Sequence, residues 1–386
     1  MTDISKGTRD MGKTNKVCII GGGVGGLATA IGLHQRGIAV EVVERDKDWR
    51  VYHVGIIVQA NFIRALGQLG VGEAAVKAGY AYRGARFKDA AGNTIAELPG
   101  EATVDGLPSD LGLTRPALHK VLTDKVRELG IPVRLGVTFT AIEDKGDTVE
   151  VDFSDGTSGS YDLLVGADGN YSAVRRHLWP DAQPRFTGQG VWRYNVPRPA
   201  DLEWSDIYIG NGANGYNGKA GYCPLTETDM YIFAVIEEPG NPRFAPETLA
   251  NEMRKRLAGY GGLLGEAAQA VVDPALVVYR PLEACIMPSP WYKGRVVLIG
   301  DAAHSATPHL GQGAAMAVED AVVLAQELGE RDTDAALRAF MDRRFERAKL
   351  VGTSSIQLGE WEMHPETAGD PVEITARIRA KLAEPV

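Results

Sequence analysis

An apolar run, a glycine-rich turn and an apolar-faced helix across residues 16–36, followed by a second strand pattern, predict an α/β chain built on a Rossmann-like parallel sheet. A switch to strand-length alternation between residues 190 and 236 predicts an antiparallel sheet inserted into that fold. The chain has 386 residues, 44% hydrophobic and 24% charged, the composition of an ordinary globular protein.

Lys16-Val-Cys-Ile-Ile20 has the length and composition of a buried parallel strand. Gly21-Gly-Gly-Val-Gly-Gly26 follows it, then a helix from Leu27 to Arg36 stopped by Gly37, then the strand Ala39–Val43 ending at Glu44. This is the strand–GxGxxG–helix–strand–acid pattern of a dinucleotide site. Gly21 allows the tight turn, Gly23 lets backbone approach a pyrophosphate, and Gly26 lets the helix close on the strand. The helix N-terminus offers N–H groups and a partial positive charge to phosphates. Glu44 is placed to accept ribose hydroxyls and would repel a 2′-phosphate, so the resident dinucleotide is FAD or NAD, not NADP. Arg45, next to it, is either part of that site or a solvated residue at a strand end.

Regular βα alternation stops there, which disfavours an NAD dehydrogenase. A helix is expected at 62–69, a hairpin at 83–98 turning at Ala91-Gly-Asn93, and a helix from Thr114-Arg115 with Pro116 in its first turn. Strands are expected at 132–135, 138–143 and 149–153, then a turn at Asp155-Gly156 and a buried strand ending at Asp168-Gly169. Arg295–Gly300 is a further strand, ending at Asp301, and residues 314–328 form an amphipathic helix. Residues 371–382 carry the pattern of a terminal amphipathic helix.

Three separated motifs, in order, give the chain a family likeness. They are Gly21–Gly26 with Glu44, Asp162-Leu-Leu-Val-Gly-Ala-Asp-Gly-Asn-Tyr-Ser-Ala-Val-Arg-Arg176, and Gly300-Asp-Ala-Ala-His-Ser-Ala-Thr-Pro-His-Leu-Gly-Gln-Gly313. With Arg115-Pro-Ala-Leu118 between the first two, the chain resembles the single-component FAD-dependent aromatic hydroxylases typified by p-hydroxybenzoate hydroxylase and salicylate hydroxylase, over roughly residues 16 to 350. The resemblance implies a p-hydroxybenzoate hydroxylase-like fold, resident FAD, NADH or NADPH as a transient co-substrate, and O2. The implied reaction inserts one oxygen atom into an electron-rich aromatic or N-heteroaromatic small molecule through C4a-hydroperoxyflavin. It places Asp168 near the pyrophosphate and Asp301 on the ribityl hydroxyls, where an acceptor-only carboxylate suits a row of donors. Pro308, Gly311, Gln312, Gly313 and Ala314 would lie beside the flavin ring, their N–H groups at a helix N-terminus. Asp168 has a second reading as a turn residue capping the helix 172–178. Ala314-Ala315 depart from many relatives, which have glycine or asparagine at the second position.

The strands between the second and third motifs bring Trp192, Tyr194, Tyr208, Tyr216, Tyr222 and Tyr231 together; most are expected to be ordinary sheet residues, with one or two lining a pocket. Arg193, on the face opposite Trp192, would bind an anionic oxygen if it points inward and would be solvated if outward. Tyr216, in a glycine-rich loop, is a further substrate-side candidate. His53 is a candidate proton acceptor or a structural histidine.

The expected division is a leader at 1–15, an FAD-binding domain at 16–80, 100–183 and 285–360, a substrate domain at 81–99 and 184–284, and a helical segment at 361–386. The net charge of −9 disfavours nucleic acid. No apolar run has membrane-spanning length and no signal-peptide core is present, so a disordered leader and a cytoplasmic monomer or homodimer are expected. Cys18, Cys223 and Cys285 match no metal spacing. Asp301, His304 and His309 could in principle approach a metal, but none is expected, and His304 is expected to brace the turn. Two alternatives stand beside hydroxylation: a non-hydroxylating flavin oxidoreductase of this fold, such as a reductase or halogenase, and a flavin-binding module without turnover. The Trp-x-Trp-x-Ile-Pro run of flavin halogenases is absent, and Pro290-Trp-Tyr-Lys293 does not replace it.

Overall fold

The structure, a computed structural model, describes residues 12–210 and 215–386. Its first layer is a sheet in the order Tyr292–Lys293, Val296–Leu298, Leu163–Gly166, Lys16–Ile20, Ala39–Glu44, Val133–Leu135. All neighbours are parallel except the short edge hairpin of the first two. Every residue of Val17–Ile20 and Leu163–Val165 is buried, as a parallel strand covered on both faces requires. The helix Val24–Gln35 packs against Gly313–Glu330 at close range, with Gly25 facing Ala317 and Gly32 facing Ala325.

The second layer is a sheet in the order Val278–Ile286, Arg185–Pro197, Asp229–Glu237, Gly218–Pro224, Ser205–Tyr208, Gly84–Lys88, Thr94–Pro99. The hairpin from the N-terminal half does join it. The expectation of a wholly antiparallel sheet needs one correction: Ser205–Tyr208 and Gly84–Lys88 run parallel. They come from segments far apart in sequence, so no tight turn dictates their direction. Strand alternation divides the sheet's two faces. Trp192, Tyr194, Tyr208 and Tyr222 form a core with the helices Leu249–Leu257 and Gly262–Ala268, while Val191, Tyr231 and Phe233 belong to the opposite face.

Of the expected leader, residues 1–11 lie outside the described residues. Residues 12–15 are tied down: the Gly12 carbonyl accepts from the Thr333 amide at 2.8 Å, and buried Thr14 shares a 2.7 Å hydroxyl contact with Thr333. The expected boundary at 360/361 falls inside a helix, Thr333–Met363, that runs through it. The terminal helix Pro371–Ala383 follows. Arg64 and Arg347 donate to the carbonyls of Lys381, Leu382 and Ala383, cations closing a helix C-terminus. No helix among the described residues is long and apolar enough to cross a membrane.

Candidate functional site

The glycine loop is built by contact distances. Gly21 has φ +113°, and a Cβ there would meet the Ala167 carbonyl at 2.4 Å; a Cβ on Gly26 would sit 1.9 Å from the Gly21 carbonyl oxygen. Gly23 differs: a Cβ there meets nothing within 4 Å, so the loop is open on that side. Glu44 turns its carboxylate back to the loop, accepting from the Gly22 amide and the Asp46 amide at 2.8 Å each. Arg45 is exposed. Trp49 donates its indole N–H to the Gly22 carbonyl at 2.7 Å and meets His119 edge-on at 5.1 Å. No sequence pattern pointed to Trp49 or His119.

Asp168 ends its strand and accepts from the Ala173 and Val174 amides through Oδ2, while Ser172 caps the same helix at the Arg175 amide. The capping reading of Asp168 therefore holds, and Ser172 shares the helix start with it. The other Asp168 oxygen is buried with no hydrogen-bond partner among the described residues, as is Nε of Arg115. Arg115 opens the helix Arg115–Glu128 and faces Asp301 electrostatically; burial lowers its pKa, and Asp301 opposes that.

Asp301 begins a short helix after Gly300 (φ +56°) and is exposed. Beneath it lies a buried polar network. His304 Nε2 is 2.6 Å from Asp320 Oδ2, which also accepts the Gly300 amide at 2.9 Å. Arg344 binds Asp320 at 2.7 Å and Glu319 at 2.6 Å. Asn61 donates to Glu319 and to the Gln312 side chain, and Gln312 donates to Gln59 at 2.7 Å. Gln312 thus turns its side chain into this network. Gly311 is left-handed (φ +67°), turning Pro308–Leu310 into the helix that begins at Gly313, with Ala314 in its first turn. Burial raises the carboxyl pKa values of Asp320 and Glu319, and the cations beside them more than reverse it.

Between this loop and the second sheet lies a cavity. One row of aligned residues crosses it: Arg193 pairs with Phe233, Phe233 with Gly221, Gly221 with Ile207, and Ile207 with Phe87. Four steps of about 4.8 Å make this row roughly 19 Å long. Arg193, Lys219, His309 and Glu362 line the cavity together with Phe87, Ile207 and Ile209, and Pro371, Thr375 and Arg379 of the terminal helix face it too. Burial, reinforced by the Arg115 charge, brings the Arg193 guanidinium down to about 10. Burial raises the Tyr231 phenol. Arg379 is held by Asp110 at 2.7 Å.

Arg193 therefore takes the inward orientation. Two other substrate-side candidates do not reach the cavity. His53 is exposed, its Nε2 3.1 Å from the Leu276 carbonyl oxygen, because residues 51–53 lie at the surface. Tyr216 sits on the helix-covered side, 5.2 Å from the Arg256 guanidinium, and the loop residues 211–214 before it lie outside the described residues. Of the six aromatics grouped by the sequence, Tyr231 alone lines the cavity. No motif in the sequence marks Lys219, Glu362 or Arg379; each is one charge within a strand or helix pattern.

The chain matches the family described as "FAD binding domain" over residues 14–358. It is 33% identical over 355 residues to the 2-heptyl-3-hydroxy-4(1H)-quinolone synthase of Pseudomonas aeruginosa, covering 90% of each chain. It is 30% identical over 343 residues to the FAD-dependent urate hydroxylase of Klebsiella pneumoniae, covering 86% of this chain and 87% of that one. The crystal structure of Klebsiella pneumoniae HpxO complexed with FAD and uric acid superposes with a TM-score of 0.81 at 26% identity, over 97% of this chain and 95% of that one.

Proposed function

The chain belongs to the FAD-dependent aromatic hydroxylase family and is an FAD-dependent monooxygenase; from that premise we propose that it consumes NADH or NADPH and O2 to hydroxylate an electron-rich N-heteroaromatic ring carrying an apolar extension. The observation that carries this reading is the cavity, lined both by charged side chains and by the apolar row Phe233, Ile207 and Phe87 across the sheet. Among relatives, the quinolone synthase is named for a ring with a heptyl chain.

The residues fit FAD. Gly23 leaves open backbone for a pyrophosphate beside the N-terminus of Val24–Gln35. The free Asp168 oxygen and the Arg115 Nε–H are an acceptor and a donor that a dinucleotide's hydroxyls and phosphates can satisfy. In this reading Glu44 holds the ribose, Asp301 the ribityl chain, and Pro308, Gly311, Gly313 and Ala314 the ring. When bound and reduced by the nicotinamide, FAD supplies the electrophilic oxygen from O2. The protein orients the substrate ring, with Arg193 toward its electron-rich oxygen, and excludes water behind the terminal helix.

The test is direct. Purified protein is expected to carry a flavin absorbance and to oxidise NADH or NADPH faster with 2-alkyl-4-quinolones and hydroxylated N-heterocycles than with none, with labelled oxygen from O2 in the product. A protein without flavin would overturn the reading; flavin without any stimulated oxidation would favour the binding-module alternative.

A further inference from the structure

We propose that the terminal helix Pro371–Ala383 is the end wall of the substrate cavity, and that Thr375 sets how long a ring substituent the cavity admits. The proposal rests on the substrate reading above and names what limits it.

The helix turns one stripe to the cavity. Pro371, Thr375 and Arg379 are four residues apart, so they share a helix face, and all three line the cavity. Ile374, Ile378 and Leu382, on the adjoining face, are buried in the main core. Arg379 fixes where along the second sheet the stripe lies. Its guanidinium donates to the Leu98 carbonyl at 3.4 Å and to Asp110 at 2.7 Å. Leu98 is in the edge strand Thr94–Pro99 and pairs with Ala85, while Asp110 pairs with Tyr82. Ala85 and Tyr82 both line the cavity. Arg193 lies on the strand next to the other edge of that sheet. Between Arg193 and the edge strand runs the row Phe233, Ile207 and Phe87. A substituent that leaves a ring at Arg193 and follows this row meets the helix at its end.

The wall is fixed rather than hinged. Asp370 caps its first turn, accepting from the Val372 amide at 2.8 Å and the Glu373 amide at 3.2 Å. Past the other end, Arg343 donates to the Val386 carbonyl at 2.7 Å, beside the contacts of Arg64 and Arg347. With both ends and one face held, side chains set the room left for a substrate. Within the stripe, Pro371 opens the helix and Arg379 is engaged by Asp110. Thr375 is half-buried, and its hydroxyl donates back to the Pro371 carbonyl at 2.7 Å. Its one proton is spent inside the helix, so it meets a substrate through its size. An exchange at this position changes the room without cutting a tie to another element.

The test is binding to the FAD-loaded protein, read as a flavin difference spectrum with no nicotinamide present, along a series of 2-alkyl-4(1H)-quinolones. In the parent, Kd should fall with chain length and then stop falling. Thr375→Trp should end the gain at a shorter chain. It should weaken 2-heptyl- relative to 2-methyl-4(1H)-quinolone about 16-fold, two methylenes at about fourfold each. Thr375→Ala should carry the gain to a longer chain. Thr375→Val, alike in shape but without the hydroxyl, should keep the parent's series. Flavin content and thermal midpoint report on the fold of each variant, and if the Trp variant loses its flavin, the Ala and Val series decide. A Trp variant that weakens both compounds alike, an Ala series that stops where the parent's does, or a Val series that shifts would each overturn the proposal. So would a parent series in which chain length never matters. Compounds that bind but stimulate no NADH or NADPH oxidation would count against hydroxylation, while their Kd series still decides for or against the wall.

Discussion

Two glycines three residues apart do different work. Gly26 is set by packing, since a Cβ there would meet the Gly21 carbonyl at 1.9 Å. A Cβ on Gly23 would meet nothing in the protein within 4 Å, which leaves that side of the loop open to a ligand. Gly23→Ala should therefore leave the unfolding free energy of the flavin-free protein within about 0.5 kcal/mol of the parent while weakening FAD retention, read as flavin absorbance per chain. Gly26→Ala should fail both measurements. Arg193 poses a similar question on the substrate side. It is buried beside another guanidinium, Arg115, at a cost that an electron-rich substrate oxygen would offset. Arg193→Met should raise KM about tenfold to a hundredfold, the loss of a charged hydrogen bond of about 1.5–3 kcal/mol, with flavin content unchanged. Unaltered KM would show that Arg193 does not meet the substrate.

At the scale of elements, the 300–321 stretch works as a brace. His304, Gly300 and Arg344 all converge on the Asp320 carboxylate, and Glu319, Asn61 and Gln312 extend the same network to the turn at Gly311. One buried carboxylate thus fixes the strand end at Gly300 and the helix Gly313–Glu330 relative to each other. Asp320→Ala leaves Arg344 and His304 without their shared partner. The expected cost is about 3–5 kcal/mol in denaturant unfolding, together with loss of FAD. A variant that kept full stability would show that the network is not what holds the loop. The terminal helix plays a different part. Its C-terminal end is held by Arg64 and Arg347, and Arg379 pairs with Asp110, so its cavity-facing residues are fixed from outside the cavity.

Across the whole molecule, the cavity joins a Rossmann layer that positions the glycine and aspartate loops to a sheet that carries the apolar row Phe233, Ile207 and Phe87 on its cavity side. Extending a 2-alkyl chain on a 4-quinolone should tighten binding about fourfold per methylene, from roughly 0.8 kcal/mol each, until the row is filled; flavin difference spectra give Kd along the series. A flat series would exclude the apolar strands as a tail site. Acid stability belongs to this scale too. Burial raises Glu362, but Lys219 and His309 bring it down to about 2 from an ordinary 4.5. Its contribution is present above pH 4.5 and lost as pH falls through about 2, so Glu362→Gln should lower the thermal midpoint at pH 7 and flatten its decline between pH 4.5 and 2. The sequence by itself determined the dinucleotide loop, the order of the three motifs and most strands and helices, because each is written in neighbouring residues: a glycine spacing, a period, a cap. It determined that Arg193 and Trp192 face opposite sides, but not which side is the cavity. Only the tertiary structure put Arg193 inside, His53 at the surface and Tyr216 under the helices, and only it brought Glu362 and Lys219 to His309. Those outcomes depend on sheet register and on the packing of segments far apart in the chain, and no local pattern encodes either.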